Sequence, residues 1–198
     1  MTLQRIRREA LPHDTLALAK TLIGLVLVRD ARAGLCAGKI VEVEAYVGND
    51  PASHAYRGQT SRNRSMFLEP FRAYVYRIYG TSFCFNVTAQ SEGEGEAVLV
   101  RALEPLEGLP LMMERRGTQR MRDLCRGPGR LCQALSIDSN DDGQDLIGSA
   151  DLYLADARFA SPLIRKSKRI GITKAAHRHL RFYERGNPFV SGPKHLNP

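Results

Sequence analysis

The chain has 198 residues, 43% hydrophobic and 25% charged, with no low-complexity run and no internal repeat. That length supports one well-cored domain spanning 1–198, and no stretch is apolar enough for a membrane span or an N-terminal secretion signal. Basic residues outnumber acidic ones by 29 to 21, and 23 of the 29 are arginine. Guanidinium forks suit phosphate, so the charge leans towards a nucleic-acid partner, although an Arg-rich composition gives the same bias without any mechanism.

In chain order, "HDTLALAKTLIG" predicts a short helix with Asp14 as N-cap and Gly24 as its stop. "LVLVRD" and "GKIVEVEAY" are strand candidates separated by "ARAGLCA". In the second of them the two-residue period sets Val41, Val43 and Ala45 on one side and Glu42, Glu44 and Tyr46 on the other. A polar loop follows, "VGNDPASHAYRGQTSRNRSMF", with His54 and the basic residues Arg57, Arg62 and Arg64. Loops this long and this varied are often functional.

"AYVYRIYGTSFCFNVTA" predicts a hairpin turning at "YGTS", which leaves Tyr79 near the tip. "SEGEGE" reads as a flexible acidic turn, and "AVLVRALEP" as a strand with Arg101 among aliphatic neighbours. Residues 107–116 and 130–137 read as helices and "ADLYLAD" as a strand. Residues 165–185 hold a basic cluster of Arg165, Lys166, Lys168, Arg169, Lys174, Arg178 and Arg181. Strands first and mixed elements later predict an α+β fold with a curved, largely antiparallel sheet, a protruding hairpin and helices packed around it.

The chemistry-bearing residues leave alternatives open. Glu42 and Glu44 fit an acid/base pair, a solvated strand face or, with further ligands, a metal-dependent nuclease, but no nearby Asp/His spacing completes a metal set. A guanidinium cannot shed its charge, so Arg101 on an apolar strand calls for a carboxylate or an anionic ligand, and Glu44 is a candidate partner. Tyrosines interleaved with basic residues suit either a core or a base-stacking pocket, catalytic or merely binding. Cys36, Cys84, Cys125 and Cys132 lack zinc-site spacing and read as buried thiols. No Gly-rich phosphate loop or nucleophile elbow appears.

Taken as an ordered set, "GKIVEVEAYVG", "RNRSMF", "YVYRIYG", "FCFNV", "VLVRALEPLEGL", "GPGRLCQAL" and "LRFYERGNPFVS" resemble the alkyladenine (3-methyladenine) DNA glycosylase family, the mammalian type also found in bacteria. The resemblance runs from about residue 20 to 191. It implies a monofunctional DNA glycosylase that flips damaged purines out of double-stranded DNA and needs no metal or cofactor. It implies that Glu44 activates water and that Arg101 and the backbone carbonyl of Val190 help hold it. Tyr46 and Tyr76 would sandwich the extruded base, with His54 adding stacking and a hydrogen bond. Asn86 would crowd the amine of a normal guanine, and Tyr79 would fill the gap in the duplex. Arg62, Arg64, Lys166 and Lys168 would grip the DNA backbone. With these come the expectations of a cytoplasmic, nucleoid-associated monomer with no membrane contact.

Overall fold

The apolar stretches of the sequence become strands of one open antiparallel sheet in the computed structural model, which describes residues 2–78 and 80–193. Strands β2 (Val26–Ala31) and β3 (Gly34–Tyr46) form a hairpin in which Ala31 pairs with Gly34. Its turn is therefore Arg32–Ala33 alone, shorter than the predicted connection 31–37. Gly34 turns the corner at φ 123°, where a side chain would be strained, and residues 35–37 extend β3.

β6 (Ala97–Glu107) lies along β3, followed by the hairpin β4 (Ala73–Ile78) and β5 (Ser82–Thr88). On the other side β2 meets β7 (Leu152–Asp156), and β1 (Gln4–Arg5) completes the order β1-β7-β2-β3-β6-β5-β4. β9 (Arg181–Glu184) pairs with the end of β3 at Glu42–Glu44, and β8 (Ile164–Ser167) pairs with β9. β3 is thus held at both edges along most of its length, which is what a strand carrying buried charge requires.

Among the described residues three α-helices cover the apolar face. α1 (Thr15–Leu22) starts where Asp14 accepts the Ala17 N–H at 2.8 Å, and Gly24 ends it at φ 95°. α2 (Leu109–Arg116) packs against α3 (Pro128–Leu135), and α3 lies on β5 and β6. α3 begins at Pro128, whose missing N–H costs nothing in the first turn, and buries Leu131, Ala134 and Leu135. Leu18, Leu22, Val43, Phe85 and Val100 share this core.

The alternation expected of β3 breaks at one point. Val43 and Ala45 enter the main core, but Val41 joins Ala102, Tyr183 and Val190 on the other face. The pairing of β3 with β6 shifts register on both sides of Glu42, and a bulge of this kind puts two successive residues on one side. All four cysteines are buried free thiols. Burial pushes the Cys125 thiol up to about 12, which keeps it unreactive. Among the described residues no helix is long and apolar enough to cross a membrane.

Candidate active site

The face opposite the helices carries a cleft of about 440 Å³. Cross-strand pairing builds its walls: Tyr74 lies opposite Asn86 and Tyr76 opposite Cys84, so the pocket-side residues of β4 and β5 form a continuous patch. Next to them β6 supplies Leu99 and Arg101, and β3 supplies Tyr46. The loop after β3 adds His54 and Arg62, and the segment 170–172 after β8 closes the remaining side.

Glu44 has no exposed surface and meets this cleft through Tyr46, Arg101 and Ile170, which line it. One carboxylate oxygen accepts the Ile170 N–H at 2.7 Å. The other accepts the Tyr46 hydroxyl at 3.0 Å and lies 3.3 Å from Arg101 Nη1. The two side chains that the sequence paired across adjacent strands do meet. Arg101, the Ile170 amide and Tyr46 all favour the charged carboxylate, but loss of water outweighs them, and the Glu44 pKa is raised above its ordinary value. Arg101 thus offsets the burial of Glu44 only in part.

Glu42 is equally buried and quite differently bound. It accepts from Arg181 Nε at 2.6 Å, from the Ser191 amide at 2.6 Å and from Arg101 Nε at 3.2 Å. With every oxygen taken by the protein, it is no solvated strand residue and no free partner for acid/base work. Arg101 bridges the two acids. Among the described residues no group of three or more His, Cys, Asp or Glu is arranged to hold a metal.

The aromatic wall is ordered by hydrogen bonds. His54 Nδ1 lies 2.8 Å from the Tyr74 hydroxyl, and its ring meets Tyr76 edge-on at 4.6 Å between centroids. Loss of water, and secondarily the charge of Arg62, lower the His54 pKa, so the imidazole is neutral at physiological pH. Nothing in "RNRSMF" singles out Asn63, whose side-chain amide donates to the His54 carbonyl at 2.9 Å and pins the loop. The Asn86 amide donates to the Tyr74 carbonyl at 2.9 Å.

Val190 is not brought to this site. Its carbonyl accepts from Arg126 Nε at 2.8 Å, and it lines a separate recess with Arg126 and Tyr183. The terminal segment docks on Glu42 through Ser191, while the segment after β8 reaches Glu44. The backbone group that reaches Glu44 is therefore that of Ile170 and not that of Val190. The basic cluster also divides. Lys166 and Lys168 are exposed, as are Arg64 and Arg62, but Arg169 is ion-paired with Asp50, and Arg181, with no exposure, with Glu42. Neither buried guanidinium is available to a phosphate. Tyr79 lies outside the described residues.

Comparison with known proteins decides what such a cleft belongs to. Residues 9–188 match the profile of the methylpurine-DNA glycosylase family. The chain belongs to that family.

Curated relatives share 44–54% identity with it. A protein of Mesorhizobium japonicum named "Putative 3-methyladenine DNA glycosylase" is 54% identical over 96% of this chain and 92% of its own length. Proteins of the same name from Paraburkholderia phytofirmans and Methanoculleus marisnigri are 44% and 50% identical, over 96% and 90% of this chain and 89% and 94% of their own. As a methylpurine-DNA glycosylase family member, the chain is a hydrolase of N-glycosyl bonds in DNA base-excision repair, and its substrate is DNA.

Proposed function

We propose that the cleft receives a damaged purine swung out of duplex DNA and that Glu44 activates the water that releases it. The observation that carries this reading is a fully buried carboxylate, 3.3 Å from a guanidinium, beside a cleft walled by three tyrosines. A glycosidic bond inside a stacked duplex is out of reach, so the nucleotide has to leave the helix, and damaged or mispaired bases do so at the lowest cost. Tyr46 and Tyr76 serve as the stacking walls, with His54 beside them. Asn86 is the group that excludes an ordinary guanine by crowding its amine. Tyr79 is the wedge that takes the vacated place in the duplex.

In the reaction, the bond between C1′ and the purine nitrogen breaks with its electron pair leaving on the base. The water oxygen bonds to C1′ and its proton passes to Glu44. The carboxylate also opposes the positive charge that grows on the sugar at the transition state. A cationic alkylated base such as 3-methyladenine or 7-methylguanine departs readily. Hypoxanthine and ethenoadenine, which are neutral, depart less readily and call for protonation of the leaving purine. The Ile170 amide and Arg101 fix the carboxylate in place, so it needs no reorganisation when a substrate arrives.

Among the described residues no lysine lines the cleft. The enzyme is accordingly read as monofunctional, leaving an abasic site without a Schiff-base step. It acts as a monomer without metal or cofactor. Arg62, Arg64, Lys166 and Lys168 hold phosphates without reading sequence.

The test is incubation with a duplex holding one inosine, in the presence of EDTA, followed by alkali. Strand cleavage that appears only after alkali marks an abasic product. Cleavage before alkali, or silence with EDTA, would mark a nuclease; tight binding with no base released would mark a binding module.

A further inference from the structure

The guanidinium carbon of Arg169, which is not among the residues lining the cleft, sits over the Tyr46 ring at 4.5 Å from its centroid. Arg169 is 4% exposed. Its Nη1 donates to the Ala45 carbonyl at 3.0 Å and pairs with Asp50, whereas Nε and Nη2 have no hydrogen-bond partner among the described residues. A buried guanidinium with two idle nitrogens is costly, so its placement is not explained by hydrogen bonding alone. What it gains is the face of Tyr46. The next residue, Ile170, donates to Glu44. One dipeptide therefore backs the ring and holds the acid.

We propose that Arg169 is a positioning residue that acts through Tyr46 to tune which bases the cleft favours, shifting preference from cationic towards neutral purines. The inference rests on the reading of Tyr46 as a stacking wall. A ring has one π-system shared by its two faces. A cation on the rear face draws electron density away from the front and repels a second cation placed there, whereas dispersion with a neutral purine is hardly affected. Asp50 tempers the effect by neutralising part of the charge of Arg169, so the two residues form an adjustable pair with opposite signs of influence.

Single-turnover excision is measured on two duplexes of one sequence, carrying 7-methylguanine as the cationic base or hypoxanthine as the neutral one. Arg169→Met keeps a side chain that packs on the ring but removes the charge. The ratio of cationic to neutral rates should rise about fivefold, the scale of one cation–π contact. Asp50→Asn leaves the guanidinium unneutralised and should lower the ratio. Arg169→Lys keeps the charge and should hold the ratio near that of the parent enzyme. Because a lone Asp50 left buried destabilises the fold, Asp50→Asn with Arg169→Met is measured as well, and it should show the same rise as Arg169→Met. Rates that fall together at a constant ratio would reduce Arg169 to a structural prop and overturn the inference. A parent enzyme that releases neither base would instead defeat the functional reading itself.

Discussion

Glu42 and Glu44 stand two residues apart on β3, both without exposed surface, yet their surroundings make them different chemical objects. Glu42 is saturated by Arg181, Arg101 and the Ser191 amide. Glu44 shares Arg101, takes one amide and one hydroxyl, and meets the cleft through these neighbours. The first arrangement ties β3, β6, β9 and the terminal segment together. The second leaves an acid that burial pushes above its ordinary pKa while its neighbours hold it still. Equal burial thus says nothing about role; the number and origin of the donors do.

Substitution separates the two. Glu44→Gln should lower hypoxanthine excision by roughly a thousandfold, within the range for loss of a general base, while lesion-duplex affinity stays near that of the parent. Excision at the normal rate would return Glu44 to a structural role. Glu42→Gln should instead cost about 3 kcal/mol of stability, because Arg181 loses its charged partner in the interior, and thermal melting reads this directly. Glu44→Gln should not melt lower at pH 7. Its folded pKa is raised, so the stability linked to Glu44 is present at acid pH and lost as pH rises through that value.

The same shift has a kinetic sign. The proposed mechanism uses the carboxylate, so excision of the neutral base should fall on acidification already above about pH 4.3, the ordinary glutamate value. Arg101→Met removes a charge that lowers the Glu44 pKa and should move this acid limb further up. A limb that stays put would show that another group controls the profile. The smallest effect belongs to the exposed cations. Lys166→Ala with Lys168→Ala should weaken damaged and undamaged duplex alike and reduce the salt slope by about 2, with excision of bound lesion unchanged.

How much of this was legible in the sequence follows the range of the interactions. The Asp14 cap and the β4–β5 hairpin are local, and both stand where the spacing put them. The meeting of Glu44 with Arg101 was readable because a buried arginine demands an acid and the two strands are long and apolar. The bulge at Glu42 was not, since nothing in "KIVEVE" marks the shifted register. Nothing set Arg169 and Arg181 apart from the rest of their basic cluster, because their carboxylates, Asp50 and Glu42, lie 119 and 139 residues away. Ile170 was missed for the same reason: an amide carries no sequence signature, and its partner is 126 residues earlier.

These separations also set a timetable. A ribosome delivers Glu42 and Glu44 early, yet the amides of Ile170 and Ser191 that engage them are synthesised 126 and 149 residues later. A nascent chain can assemble β2–β7, with Arg101 already between the two acids, before the amides of Ile170 and Ser191 have emerged. The surroundings of both acids are therefore completed only after most of the sheet has been translated, and a product terminated after β7 would keep Arg101 between Glu42 and Glu44 but would lack both amides.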